Sequence, residues 1–174
     1  MPNRALDLDE LGHGMPGLSP RAGAALAEAA SVCLDDAGHP IPVALLVDGD
    51  HSESLDLTWS AVSDQHRRTW ADEQYTTEQG AYGVAILVVR LARRHTVLER
   101  SRKGTGFDYW MGEDDGTLFA SKARLEVSGI RRGDPGQVSA RAKQKTEQIG
   151  VSSGLPGIVL VVEFGKPLAR LLDR

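Results

Sequence analysis

The spacing of apolar and polar residues divides the first part of the chain into a loop-rich start, a helix and two strands. Apolar side chains recur every three or four positions over 21–36, which predicts a helix, and Ser19 before Pro20 favours a helix start. The continuous apolar run 41–47 predicts a buried strand, and alternation over 55–59 predicts a short one. Residues 1–18 are rich in Gly and Pro and predict an irregular arm.

The second part of the chain predicts a mixed sheet. A strand, a helix and a strand in succession favour a parallel crossover, whereas two strands joined by a short turn form an antiparallel hairpin. We therefore expect an α/β (α+β) protein with a single mixed β-sheet flanked by helices. The predicted elements are a helix over 76–94, strands over 96–100, 107–111 and 117–128, a hairpin turn at 113–116, a helix over 137–149, a strand over 158–164 and a short helix over 167–174.

Length and composition favour one globular domain. The 174 residues are 41% apolar and 25% charged, which excludes a disordered chain. Within a single domain over 1–174 we expect an N-terminal helix–strand extension (1–74), a core (75–165) and a C-terminal helix (166–174). A lone cysteine, Cys33, excludes an internal disulfide. No apolar run is long enough to span a bilayer or form a signal peptide, so the expectation is a cytoplasmic protein without membrane contact.

Charge is distributed unevenly along the chain. Residues 1–89 carry four Lys and Arg against fourteen Asp and Glu, whereas residues 90–150 carry thirteen against eight. A basic segment of this kind is typical of a site for an anionic partner, but it is also typical of a solvated hairpin and helix.

Polar side chains follow one face of the predicted strand over 117–128. With the side-chain period of two, Lys122, Arg124, Glu126 and Ser128 share one face, and apolar residues share the other. A strand whose polar face is exposed to solvent would explain this row. A buried functional site would explain it equally well.

Asp108 favours the functional interpretation. It precedes Glu126 by eighteen residues across a predicted hairpin, so pairing of the two strands would bring both carboxylates to one face. Two carboxylates that share a site repel each other unless a cation lies between them, and Mg²⁺ or Mn²⁺ suits such oxygen ligands. Gly104 and Gly106 would allow the backbone to bend beside Asp108.

These residues resemble the core of the PD-(D/E)xK restriction-endonuclease-like nucleases over about 75–165. The resemblance implies that Asp108 and Glu126 bind the metal ion and that Glu78, on the preceding helix, joins them as an acidic residue. The chain departs from the family pattern at Ser128, which occupies the place of the catalytic lysine. A lysine at another position could supply the missing cation, with Lys143 or Lys145 as candidates and the Gln144 amide as a polar substitute.

The resemblance implies hydrolysis of DNA phosphodiester bonds, with Mg²⁺ or Mn²⁺ as the cofactor. The acidic first half favours a subunit of a larger system, such as a bacterial antiviral defence or DNA-processing assembly. The alternative is a catalytically inactive module that serves as a scaffold for a protein partner or a second copy of itself. A third possibility, a small-molecule enzyme, depends only on the turn signal at Asp48-Gly49-Asp50.

Overall fold

A single mixed sheet organises the chain. The computed structural model describes residues 1–113, 123–150 and 154–174, and within them eight strands form one sheet with helices packed on its faces. The strands are β1 (Arg4–Asp7), β2 (Val43–Gly49), β3 (Glu53–Thr58), β4 (His95–Arg100), β5 (Tyr109–Glu113), β6 (Ala123–Ile130), β7 (Gly157–Glu163) and β8 (Leu168–Asp173). The helices are a 3₁₀ helix (Leu8–His13), α1 (Pro20–Asp36), α2 (Asp64–Thr69), α3 (Glu73–Arg93) and α4 (Pro135–Ile149).

The order of the strands across the sheet is β1, β3, β2, β8, β7, β6, β5, β4. The pairs β4–β5 and β5–β6 are antiparallel, whereas β6 and β7 are parallel and are connected through α4. The expected mixed α/β sheet is therefore confirmed, and so is the parallel crossover from β6 through α4 to β7. The predicted turn at 113–116 extends beyond the described residues, as does the start of the strand predicted over 117–128.

The prediction of a C-terminal helix over 166–174 was wrong. Residues Leu168–Asp173 form β8, which pairs with β7 on one side and with β2 on the other. Ala169 and Leu171 are fully buried, and their spacing of two fits a strand. Because β8 lies between β2 and β7, the N-terminal strands continue the same sheet.

The expected irregular arm over 1–18 is partly ordered. β1 pairs in parallel with β3, and the 3₁₀ helix that follows is capped by the Asp7 carboxylate, which accepts from the Asp9 backbone amide. Leu6, Leu8 and Leu11 are buried in the core. Burial of these three side chains explains why a segment rich in Gly and Pro is fixed on the sheet.

Helix α3 lies against β6 and positions one side of the candidate site. It begins at Glu73 with Asp72 as its cap, three residues before the predicted start. Gly129 on β6 permits the close approach, since a Cβ there would lie 2.6 Å from the Thr77 carbonyl oxygen. α4 packs on the strands β6, β7 and β8. The polar side chains of β6 contact α4.

Candidate carboxylate and lysine site

The polar row of β6 is buried beneath α4. Arg124, Glu126 and Ser128 expose only 3%, 2% and 7% of their surface. The interpretation of this face as a solvent-exposed surface is therefore wrong. Lys122, the first residue of the predicted row, lies outside the described residues.

Each buried polar residue of β6 has a partner at the corresponding level of α4. The Arg141 guanidinium donates to the Ser128 hydroxyl at 2.7 Å, and the Lys145 ammonium donates to Glu126 Oε1 at 2.7 Å. Gln148 Nε2 also donates to Glu126 Oε1, at 3.1 Å. Positions 141, 145 and 148 lie on one face of a helix, so α4 presents a continuous polar stripe to β6.

Arg124 fixes the end of α4. Its guanidinium donates to the carbonyl oxygens of Ile149 at 2.7 Å, Gly150 at 3.3 Å and Leu155 at 3.0 Å. The bonds to Ile149 and Gly150 satisfy carbonyls that a helix terminus leaves without partners, and a cation there interacts favourably with the helix dipole. Arg124 thereby holds the turn of α4 that carries Lys145 and Gln148.

Asp108 lies directly before β5 and faces β6. In this antiparallel pair Tyr109 lies opposite Leu125, so one further step places Asp108 opposite Glu126. The Asp108 amide donates to the Leu125 carbonyl at 2.8 Å, and Asp108 Oδ2 accepts from the Val127 amide at 2.8 Å. The carboxylate is thus bound to the neighbouring strand and does not cap its own turn.

Two glycines shape the loop that leads to Asp108. Gly104 and Gly106 have φ angles of 91° and 83°, in the region that disfavours other residues. The Ser101 amide closes the loop by donating to the Asp108 carbonyl oxygen at 2.8 Å. The expectation that these glycines bend the backbone beside Asp108 is confirmed.

Tyr82 connects Glu78 to Asp108. Its hydroxyl lies 2.8 Å from Glu78 Oε1 and 3.0 Å from Asp108 Oδ1, and it accepts from Arg100 at 3.3 Å. The Arg100 guanidinium stacks over the Tyr82 ring and lies 3.4 Å from Asp108 Oδ1. Burial is the main reason why the pKa of the Tyr82 phenol is raised, and the Asp108 charge adds to it, so the phenol keeps its proton.

Burial determines the charge state of Glu126. Removal from water raises the pKa of its carboxyl group to about 7, and the negative charge of Asp108 acts in the same direction. The Lys145 ammonium opposes both effects. A proton or another cation beside this pair of carboxyls therefore stabilises it.

Two cavities meet at Lys145. The first, of about 540 Å³, contains Asp108, Glu126 and the loop that includes Gly104 and Gly106. The second, of about 730 Å³, lies on the Ser128 side and contains Arg131 and Arg141. Glu78, Val127 and Lys145 line both cavities. A ligand in either cavity would therefore lie beside Lys145.

The structure places Lys145, and not Lys143, beside the carboxylates. Lys143 lines a separate cavity together with Gly49, Arg170 and Leu172. Two residues along a helix correspond to a rotation of roughly 200°, so positions 143 and 145 point to different sides. The prediction of Lys143 as a site residue is therefore corrected to Lys145. Gln144, the polar substitute, lines the larger cavity.

The donor set fits a hard divalent cation held by few protein ligands. Among the described residues no group of three or more His, Cys, Asp and Glu side chains has the arrangement of a metal site. Mg²⁺ commonly takes one or two carboxylates and several waters. Asp108 and Glu126, at opposing strand positions and open to one cavity, provide this number of ligands.

The acidic turn Asp48-Gly49-Asp50 and the lone Cys33 have contacts that stabilise the fold and are not part of the site. Asp48 forms a two-point ion pair with Arg170, at 2.9 and 2.7 Å, and Asp50 accepts from the Asp173 amide. These contacts connect β2 to β8. Cys33 is fully buried, and burial raises the pKa of its thiol to about 12, which makes it unreactive.

Comparison with known proteins finds no relative of this chain. No family model, no curated protein and no solved structure matches the chain. Among the described residues, no helix has the length and apolar character needed to cross a membrane.

Proposed function

We propose that the protein is a metal-dependent nuclease that hydrolyses DNA phosphodiester bonds at Asp108, Glu126 and Lys145. The observation that carries the proposal is the half-buried contact between Glu126 and Lys145, beside Asp108 at the start of the adjacent strand. It supplies a cation next to the carboxylate pair, which the serine at position 128 cannot supply. The resemblance to PD-(D/E)xK nucleases is part of the same proposal.

The residues fit a division of tasks. Asp108 and Glu126 would hold a Mg²⁺ or Mn²⁺ ion, which when bound supplies a Lewis acid for the phosphate and lowers the pKa of water. Lys145 opposes the rise in the pKa of Glu126 and provides a positive charge where the reacting phosphate gathers negative charge. Tyr82 and the Val127 amide fix the two oxygens of Asp108, and Glu78 orients Tyr82.

The charge around the site favours a polyanionic substrate. Six of the thirteen Lys and Arg residues of 90–150 line the two cavities, against four acidic residues, Glu73, Glu78, Asp108 and Glu126. Phosphate neutralisation by such side chains supplies most of the non-specific affinity for DNA. The cations that line the cavities are Arg100, Arg102, Lys103, Arg131, Arg141 and Lys145.

A plasmid-nicking assay tests the proposal. Purified protein is expected to convert supercoiled plasmid to the open-circular form in Mg²⁺ or Mn²⁺ and to lose this activity in EDTA, because the carboxylates need the cation. Asp108→Ala and Glu126→Ala proteins, purified in the same way, are the controls for contamination and are expected to be inactive. Equal activity of all three proteins would contradict the proposed site.

Ser128 is the observation that favours the alternative function, an inactive nuclease-like scaffold within a larger assembly. A serine is neutral at pH 7 and cannot replace a lysine charge. Absence of nicking by a folded wild-type protein in both metal ions would support this alternative. The acidic residues of 1–89 would then be the first region to test for binding of a protein partner.

A further inference from the structure

Arg141 is a half-buried cation with neutral partners. Its guanidinium donates to the Ser128 hydroxyl at 2.7 Å and to the Gly129 carbonyl oxygen at 3.5 Å. Among the described side chains, no carboxylate forms an ion pair with it, whereas Lys145, one turn further along α4, is paired with Glu126. The charge of Arg141 therefore remains available for an anion.

The guanidinium has donors left for a ligand. Arginine carries five N–H groups, and in Arg141 the described bonds all start from one terminal nitrogen. The residue lines the larger cavity, of about 730 Å³, whose other arginine, Arg131, is paired with Asp36. Arg141 is thus the cation best placed to bind a phosphate by two parallel hydrogen bonds.

The position of Arg141 relative to the carboxylates suggests which phosphate it contacts. Ser128 and Glu126 are separated by about 7 Å along β6, because a strand rises roughly 3.4 Å per residue. Arg141 and Lys145 are separated by about 6 Å along α4, at roughly 1.5 Å per residue. Neighbouring phosphates of one nucleic-acid strand, joined through a single sugar, have a separation of the same order.

We propose that Arg141 binds the backbone phosphate next to the one that is hydrolysed, on the Ser128 side of the site. The inference rests on the proposed function, since it takes the substrate to be DNA. Ser128 then acts as a positioning residue that holds the guanidinium at the cavity wall. Ser128, at the position of the lysine in the nuclease pattern, would thereby contribute to substrate binding by holding Arg141.

Equilibrium binding in EDTA tests the inference. Affinity for a short fluorescein-labelled DNA duplex is measured over a range of NaCl concentrations for the wild type, Arg141→Gln and Arg141→Lys. Loss of one phosphate contact is expected to weaken binding about tenfold and to lower the slope of log K against log [NaCl] by about 1. Arg141→Lys is expected to keep the slope, because its charge remains, and to bind more weakly than the wild type.

Arg68→Gln is the matched control, since it removes the same charge from an exposed position on α2. It is expected to leave the slope unchanged, and thermal melting of each variant verifies that it is folded. An unchanged slope and affinity for Arg141→Gln, or a wild type that does not bind the duplex, would overturn the inference. Cleavage is absent in EDTA, so the nicking assay judges the proposed function separately.

Discussion

Replacing Lys145 by methionine is expected to lower the rate of Mg²⁺-dependent nicking by about 10²-fold, the usual loss for one charge-stabilising donor. Methionine keeps the apolar stem of the side chain and removes the ammonium. Two effects combine, because the site loses its cation and Glu126 loses the group that holds its pKa down. The Glu126 carboxyl therefore becomes harder to ionise, and the residual activity should shift to higher pH. The measurement is the nicking rate as a function of pH.

Lys143→Met is the control for this prediction. It changes the same residue type on the same helix, but Lys143 lines the separate cavity beside Gly49 and Arg170. Its rate and pH profile are expected to match those of the wild type. Equal losses in the two variants, or a loss only in Lys143→Met, would show that Lys145 does not supply the cation.

The stability of the metal-free protein is expected to depend on pH through Glu126. Its pKa is about 7 in the folded protein against an ordinary value of 4.5. At pH below 4.5 the carboxyl is protonated in both folded and unfolded chains. Between pH 4.5 and 7 only the unfolded chain releases the proton, so the free energy of unfolding falls as pH rises. Above pH 7 the carboxyl is ionised in both states, and the loss of stability no longer changes with pH.

Glu126→Gln removes this titration. In EDTA, the free energy of unfolding of the wild type relative to Glu126→Gln is expected to fall by about 1–3 kcal/mol between pH 4.5 and 8. Urea unfolding at several pH values measures it. Glu147→Gln, at an exposed position of the same helix, is the control and is expected to follow the wild type. A constant difference between wild type and Glu126→Gln would contradict the burial of an ionisable carboxyl at this position.

The sequence predicts most of the sheet around the site but misses two of its strands, β8 and β1. Periodicity, together with capping and turn signals between the elements, identifies the order from α3 to β7. It fails for β8, in which Ala169 and Leu171 are the only fully buried positions of a short segment. Their pairing with β2 and β7 is a tertiary effect. The buried leucines of residues 1–18 were missed for the same reason.

The carboxylates of the site could be found from the sequence, whereas their partners could not. The proximity of Asp108 and Glu126 is predicted by strand pairing across a hairpin. Lys145 is one of the two lysines on the helix predicted over 137–149. The choice between Lys143 and Lys145 depends on which side of α4 faces β6, which the helix pattern over 137–149 alone did not determine. Tyr82 and Arg141 carried no motif. Tyr82 lies four residues after Glu78, and Arg141 lies four residues before Lys145. This helical spacing is the only sequence signal that could have indicated them.

Metal binding is the most direct test of the central claim that Asp108 and Glu126 form a divalent-cation site. Mn²⁺ titration followed by electron paramagnetic resonance reports bound and free ion without requiring catalysis. The wild type is expected to bind Mn²⁺, Mg²⁺ is expected to displace it, and Asp108→Asn and Glu126→Gln are each expected to weaken binding by at least about tenfold, since each removes an anionic oxygen ligand. Equal Mn²⁺ affinity in the wild type and both variants, or no binding by the folded wild type, would contradict the claim.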